Sequence, residues 1–311
     1  MQTRTLSVFF NADRIYLSVV RIDNNRAYLD YIESTNHRFD LENTDSPESV
    51  NALNELEVFI SDFDFKPDRL SIALPSESIF VTKFPARINF TKEQLRQLVN
   101  LEIRQAYPEF NYEDFMIKAT PILSEKTKKE QMLGMIYMKS DLKFIENFFN
   151  KFDLKIDNIE ISQLAAHNAF MLNYPEMKGK CVMIIGYHGQ FLDFTVIRDG
   201  ELLYYNIASV SSPDKVGEAA ENEHIKIIET ATDEIDACYF YGSALNKNVS
   251  LALWETSMML GIMEAKRLNP FRMMTTELDK RHLEYCSRTF QIYPPCTGSS
   301  LKSWHKIITI E

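Results

Sequence analysis

Glycine is missing from the first part of this 311-residue chain. The sequence contains nine glycines, and all of them lie at or after Gly134. Loops that hold phosphate with backbone N–H groups normally need glycine, because it allows a positive φ and a close approach of the ligand. The N-terminal third therefore lacks the usual material for a phosphate-binding loop.

Cysteine is also scarce, with four residues that are widely spaced. This distribution favours a reducing compartment over a disulfide framework. One alternative is a metal site built from His282, Cys286, Cys296 and His305, but the C-x-x-C spacing of zinc modules is absent. We predict no metal site and interpret these residues as scattered core or surface positions.

Long apolar runs and an excess of positive charge are missing as well. No run reaches the ~18 residues of a membrane-spanning helix, and the polar start MQTRTLSVFFNADR lacks a signal-peptide layout. The chain has 44 acidic and 34 basic residues, a net charge of −10, whereas a general nucleic-acid binder needs a basic field. These features predict a cytoplasmic protein that binds no nucleic acid and meets the membrane only through a partner.

The first residues follow a pattern that is typical of α/β proteins. Three strands precede a helix, for which Ser46 is the predicted N-cap and Pro47 the first residue. The predicted inner face of this helix contains Val50, Leu53, Leu56, Ile60 and Phe63. The predicted strands of this part cover residues 6–10, 15–20, 27–34 and 69–74.

A different pattern begins at residue 79 and predicts a small α+β module. A capping box of Thr91 and Gln94 opens one helix, and Ser140 is the predicted cap of a second helix. The predicted strands of the module cover residues 79–84, 115–123 and 131–139.

The second half of the chain opens with two alternating apolar runs joined by Asp199-Gly200, a strong hairpin signal. Both halves thus begin with a strand hairpin, which hints at a duplicated domain. The predicted domains are 1–78 with 153–178, an inserted module at 79–152, and a second domain at 179–311. The later elements are a helix at 162–173, a polar region at 211–233, a strand at 237–241 and a long helix at 248–268.

Four short motifs follow one another along the chain. They are Ala73-Leu74-Pro75 with Ile79-Phe80-Val81, the helix at 95–107 ending LEIRQAYP, the hairpin Ile185-Gly186 to Arg198-Asp199-Gly200-Glu201-Leu202, and Asn269-Pro270-Phe271. In this order they resemble the actin-like ATPase superfamily, in which two ribonuclease H-like domains enclose a nucleotide cleft. Within it the sequence is most similar to the PilM family of type IV pilus assembly, and to the cytoplasmic part of GspL from type II secretion.

The sequence departs from the resemblance at the nucleotide site. The resemblance implies Asp-Ile-Gly in both phosphate hairpins, but the second reads Ile184-Ile185-Gly186 and the first falls near Phe9-Phe10-Asn11. Isoleucine cannot orient hydrated Mg²⁺ or an attacking water as aspartate does. We therefore predict a pseudo-ATPase that needs no cofactor, and we do not expect ATP with Mg²⁺ to bind. The degenerate cleft is predicted at Asn11, Ile184, Gly186, Gly189, Gly242 and Ser243.

The resemblance implies a scaffold at the inner face of the inner membrane. Its partner would be an inner-membrane protein whose PilN-like N-terminal peptide lies in a groove beside the inserted module. Other assembly-platform proteins and self-association are further expected interactions. The residues expected to line the peptide groove are Leu74, Pro75, Ile79, Leu95, Leu98 and Glu102.

Two other functions stay open from the residues. One is an active ATPase or sugar-kinase-like enzyme of the same fold. The other is an FtsA-like membrane-tethered filament protein, for which Leu301, Trp304, Ile307 and Ile308 would supply an amphipathic segment. We favour a final strand or core helix for this segment, because it is short and ends in β-branched residues.

Several polar and sulfur-containing residues have a functional and a structural interpretation. Asp13 and Asp193 would suit metal-dependent nuclease chemistry, but we interpret both as surface aspartates. His188 in the hairpin turn is interpreted as a solvated residue rather than a base. Five methionines are assigned to the core because of their helical spacing. These methionines are Met258, Met259, Met263, Met273 and Met274.

Overall fold

The computed structural model describes residues 2–24, 26–86, 89–106, 108–109, 111–128 and 130–310. In chain order, the strands of this part are β1 (Thr3–Phe10), β2 (Ile15–Asp23), β3 (Arg26–Ser34), β4 (Arg69–Leu74), β5 (Phe80–Pro85), β6 (Phe115–Leu123), β7 (Glu130–Met138), β8 (Ile156–Ile161), β9 (Cys181–Tyr187), β10 (Phe191–Arg198), β11 (Glu201–Ser209), β12 (Ala237–Tyr241), β13 (Glu264–Arg267), β14 (Thr275–Thr276) and β15 (Ile308–Thr309). The helices are α1 (Pro47–Ser61), α2 (Lys92–Ala106), α3 (Lys139–Asn150), α4 (Ser162–Asn173), α5 (Val216–Thr230), α6 (Lys247–Met259), α7 (Lys280–Thr289) and α8 (Pro294–Ser299).

Two of the sheets share one topology. The first has the order β14-β3-β2-β1-β4-β8, and the second has the order β11-β10-β9-β12-β13. In each sheet a three-stranded antiparallel meander continues into two strands that run parallel to its first strand. Apart from the short β14, the two sheets therefore repeat each other, as the two predicted hairpins suggested.

A third sheet has the order β15-β6-β7-β5, and its strands β5 to β7 lie between β4 and β8 in the chain. Its pairs are antiparallel. The predicted domain boundaries stay predictions. The segment beyond residue 268 nevertheless returns to the N-terminal half, because β14 pairs with β3 and β15 pairs with β6.

The N-terminal caps of α1 and α2 follow the sequence closely. Ser46 Oγ accepts from the Ser49 N–H at 3.2 Å, and Thr91 and Gln94 bond each other reciprocally at 2.9 and 3.2 Å. Two local predictions were wrong. Val50 is 42% exposed on the outer side of α1, and Met138 rather than Ser140 is the N-cap of α3.

Two longer assignments in the second half were also wrong. The region at 211–233 was predicted only as a polar segment, but it contains α5. The charged residues of this helix obscure its apolar pattern. The long helix predicted at 248–268 is two elements, since α6 ends at Met259 and β13 follows. Gly261 lies between them with a φ of +81°, a backbone conformation that ends a helix. The predicted helix end at Tyr107 lies outside the described residues.

Helix α4 is the centre of the molecule. Ten of its twelve residues are buried, and α8 packs directly against it. This packing needs Gly298, because a Cβ there would lie 1.8 Å from the Ala165 carbonyl oxygen. The contact places the C-terminal segment over the first sheet. Among the described residues, every helix is too short or too polar to span a lipid bilayer.

Replacing Gly298 by alanine tests this packing. The new methyl group would meet a backbone carbonyl that cannot rotate away, so we expect Gly298→Ala to cost about 3 kcal/mol or more of the free energy of unfolding. Gly217→Ala in α5 is the matched control. Its Cβ would lie 2.8 Å from Thr256 Oγ1, a side-chain atom rather than a backbone carbonyl, so its melting temperature should fall much less than that of Gly298→Ala. Equal melting temperatures for both variants would contradict the close packing of α8 on α4.

Candidate functional site

The two repeated sheets meet at the carboxyl ends of their parallel strands. Asn11 follows β1 in the first sheet, and its Nδ2 donates to Ser243 Oγ at 3.0 Å, just beyond β12 in the second. Open α/β sheets bind ligands outside the carboxyl ends of their strands. Of the predicted cleft residues, Asn11, Gly186, Gly189, Gly242 and Ser243 lie in or beside this junction.

The backbone donors in these turns bond to other parts of the protein. The Asn11 N–H donates to the Arg14 carbonyl at 3.2 Å, and the His188 N–H donates to the Phe191 carbonyl at 3.3 Å. The Gly242 N–H donates to the Gln291 carbonyl at 2.8 Å. Phosphate loops work through N–H groups that are directed at the ligand. These three N–H groups already donate to carbonyl groups of the protein.

The glycines of the junction have packing roles. A Cβ on Gly186 would lie 2.6 Å from the Tyr241 ring, so this glycine leaves room for an aromatic side chain. A Cβ on Gly242 would lie 2.0 Å from the Tyr187 carbonyl oxygen, which shows how closely the two backbones approach. Gly189 has open space around it and a φ of +112°, so the turn itself requires glycine there.

Ile184 is fully buried within β9 rather than exposed at its end. Its carbonyl oxygen accepts from Gln163 Nε2 at 2.9 Å, which ties β9 to α4. An apolar side chain at this depth contributes to the core and supplies no ligand for a metal ion.

Aromatic rings occupy the junction. The His188 ring makes edge contacts with Phe9 of the first sheet at 5.8 Å and with Tyr241 of the second at 5.5 Å, measured between ring centroids. Both of its ring nitrogens are buried without a hydrogen-bond partner among the described residues. Burial lowers the pKa of His188 to about 4. The interpretation of His188 as a solvated turn residue was wrong.

Asp193 was also misassigned, because it is 1% exposed rather than a surface residue. Its Oδ2 accepts from Ser76 Oγ at 2.9 Å, across the junction between β10 and the carboxyl end of β4. Burial, and then the nearby Glu77 carboxylate, raises the pKa of Asp193 well above its usual value. Burial likewise raises the pKa of Glu77. The pair therefore favours the protonated acid. Asp13, the other aspartate of the possible nuclease pair, accepts a hydrogen bond from Tyr16 Oη at 2.6 Å.

A chain of buried hydrogen bonds runs through the junction from the second sheet to the C-terminal segment. The Tyr241 hydroxyl donates to Gln163 Oε1, and Gln163 Nε2 donates to Thr195 Oγ1 at 2.7 Å. Thr195 Oγ1 lies 2.6 Å from His167 Nε2, and His167 Nδ1 lies 3.0 Å from His305 Nε2. The sequence contained one signal for this chain, since Gln163 and His167 are polar residues four apart on the otherwise apolar helix α4.

The residues of the possible metal site lie apart. Cys286 and Cys296 are buried in one apolar cluster, whereas His282 bonds Asp279 on α7 and His305 bonds His167. Among the described residues, no group of three histidines, cysteines or carboxylates has a geometry that could hold a metal ion.

The C-terminal segment and the methionines had different outcomes. The predicted final strand is present as β15, paired with β6. The assignment of the methionines to the core was wrong for three of them. Met259, Met263 and Met273 are 77%, 75% and 54% exposed.

The predicted peptide-groove residues fall into two apolar clusters. Leu74 is buried in the cluster that includes the first sheet, and Ile79 packs against it, half-buried. Leu95 is buried in the cluster of the module, with Leu98 half-buried at its margin. Pro75 is buried and Glu102 is half-buried. The half-buried residues Ile79, Leu98 and Glu102 therefore form the margin of the predicted groove. The buried residues Leu74, Pro75 and Leu95 lie beneath it.

The overall fold has known counterparts. Among solved structures, a chain of the PilM-PilN type IV pilus biogenesis complex is similar, with a TM-score of 0.71 and 12% identity over 95% of this chain and 97% of that chain. A Bacteroides thetaiotaomicron protein with an actin-like ATPase fold and unknown function gives a TM-score of 0.52 and 14% identity, over 92% of this chain and 96% of that one. No family model and no curated protein matches the sequence.

These likenesses show the fold of the chain. The chain has an α/β, actin-like fold, as predicted. The resemblance to PilM that the four motifs suggested is confirmed at the level of the fold.

The buried histidine pair should make stability depend on pH. Burial lowers the pKa of His167, and lowers that of His305 to about 4, against 6.5 for an ordinary histidine. Between pH 6.5 and 4 the unfolded chain therefore binds more protons than the native protein, and stability falls as the pH falls. We expect His305→Gln to show a smaller loss of melting temperature from pH 7 to pH 5 than the parent. The control is His282→Gln on α7, where the half-buried imidazole bonds Asp279. An unchanged loss in His305→Gln would contradict a neutral, buried His305.

Proposed function

We propose that this protein is a PilM-like scaffold that binds the N-terminal cytoplasmic peptide of an inner-membrane partner and does not hydrolyse ATP. The observation that carries the proposal is the fold correspondence with a chain of the PilM-PilN complex, which covers nearly all of both chains. The scaffold would act at the inner face of the inner membrane in a pilus or type II secretion machine.

The packing of the cleft supports a role in binding rather than catalysis. An actin-like ATPase needs space and directed donors for a triphosphate between its two halves. Here the His188 ring contacts both Phe9 of the first sheet and Tyr241 of the second. Asn11 and Ser243 bond each other across the same junction. The proposed scaffold therefore has a degenerate nucleotide site and needs no cofactor.

The peptide is proposed to lie along the half-buried margin between β5 and α2. Helix α2 contacts β5, and Ile79 directly precedes that strand. Leu98 and Glu102 lie one turn apart on α2 and are both half-buried, so part of each side chain is available to a ligand. Extended peptides bind such margins through backbone hydrogen bonds and alternate side chains. Leu74, Pro75 and Leu95 would support the groove from beneath.

A charge placed on this margin tests the proposal. Leu98→Glu should weaken binding of a labelled peptide that copies the N-terminal segment of a PilN-like protein from the same operon. The expected loss is roughly tenfold to a hundredfold, because an apolar contact of leucine size contributes ~1.5–3 kcal/mol. The measurement is a fluorescence anisotropy titration, with circular dichroism to check the fold.

Leu101→Glu is the matched control. Leu101 lies on the same helix but is 54% exposed, and the same charge there should leave binding and folding unchanged. If Leu98→Glu unfolds the protein, Leu98 serves the core alone and the groove assignment fails. If both variants bind like the parent, the peptide does not use this side of α2.

A further inference from the structure

A cavity lies where α4 ends and the chain leads into β9. It has a volume of about 230 Å³. Its walls are mainly apolar, and the side chains that form them include Phe170, Tyr174, Met177, Val182, Ile197 and Trp304. All of these except Trp304 are at most 6% exposed, so the walls belong to packed parts of both halves of the molecule.

Trp304 is fixed at the mouth of this cavity. Its backbone N–H donates to Asn168 Oδ1 at 3.1 Å, and the next residue, His305, bonds His167 in the buried chain. Trp304 as a whole nevertheless remains 54% exposed. It lies above Gly200, where an added Cβ would be 3.3 Å from the ring. A fixed aromatic ring that is half exposed beside an apolar cavity offers contact area to a ligand.

The rim of the cavity carries two lysines and one aspartate. Three charged residues line it: Lys178, Lys180 and Asp199. Lys180 lies 3.8 Å from the Glu264 carboxylate, and Asp199 Oδ1 accepts from the Gly179 N–H at 2.7 Å. Within the described part of the chain, Lys178 has no ion pair. The Lys178 ammonium is thus available to a ligand, whereas one oxygen of the Asp199 carboxylate is already bonded to the backbone. An apolar cavity with such an ammonium group at its rim suits a ligand with an apolar tail and an anionic head.

We propose that this cavity binds a medium-chain fatty acid, with its carboxylate at Lys178 and its acyl chain between Tyr174 and Trp304. The size of the cavity supports a short chain, because pockets for drug-sized ligands are larger, about 300–1,000 Å³. A whole phospholipid does not fit. The bound chain would contact α4, β9, β10 and the C-terminal segment together. It would therefore connect the two halves of the protein.

Trp304 provides a direct probe of this binding. The chain has two tryptophans, so Trp254→Phe on the exposed side of α6 leaves Trp304 as the sole one. Titration with decanoate below its micelle concentration should shift the Trp304 emission to shorter wavelengths and saturate. Hexanoate should bind more than tenfold more weakly, because each buried CH₂ adds to the affinity. Decanol and decyltrimethylammonium should also bind more weakly than decanoate.

Lys178→Glu, made in the same Trp254→Phe background, should weaken decanoate binding by about threefold to tenfold, since it reverses the charge at the rim. Lys139→Glu at the exposed start of α3 is the matched control and should bind like the parent. The proposal is overturned if decanoate gives no saturable shift, or if Lys178→Glu binds decanoate like the control. It is also overturned if phosphatidylglycerol vesicles produce the Trp304 shift and free decanoate does not, because the cavity would then face a membrane.

Discussion

The structure depends on the buried chain of hydrogen bonds from Tyr241 through Gln163, Thr195 and His167 to His305. Gln163 and His167 lie on α4, whereas Tyr241 and Thr195 belong to the second sheet and His305 to the C-terminal segment. Buried polar groups are costly unless each finds its partner, and a satisfied network specifies one arrangement of the parts that it joins. The two repeated sheets and the C-terminus are therefore held in one relative position.

This arrangement gives a physical basis for a scaffold. In a nucleotide-dependent protein, a ligand between two halves stabilises their closed form by binding it preferentially. Here protein side chains connect the two sheets directly, through the His188 ring between Phe9 and Tyr241 and the bond from Ser76 to Asp193. A frame that closes without a ligand can present a fixed surface to a partner, which is what the proposed function requires.

The parts of the structure that were predictable from the sequence are those with local causes. The caps at Ser46 and Thr91, and the Asp199-Gly200 turn, depend on residues within a few positions of one another. The two hairpins that hinted at a duplicated domain followed from such local signals, whereas strand β13 of the second sheet did not. Other features come from distant parts of the chain. Asp193 is buried because Ser76 and its neighbours cover it, and no pattern around residue 193 encodes that contact. Helix α5 was missed because its buried face includes Glu223, a charged residue that bonds Tyr204 and Asn206.

The central proposal is that protein side chains close the junction between the sheets and that the junction does not bind a nucleotide. Amide hydrogen exchange tests it most directly, on peptides that cover the turns at residues 184–191 and 238–246, with and without ATP and Mg²⁺. The account predicts slow exchange at the His188 and Gly242 N–H groups, because both donate within the protein, and no change when ATP is added. Fast exchange that ATP with Mg²⁺ slows in both turns would show a working nucleotide cleft and contradict the account.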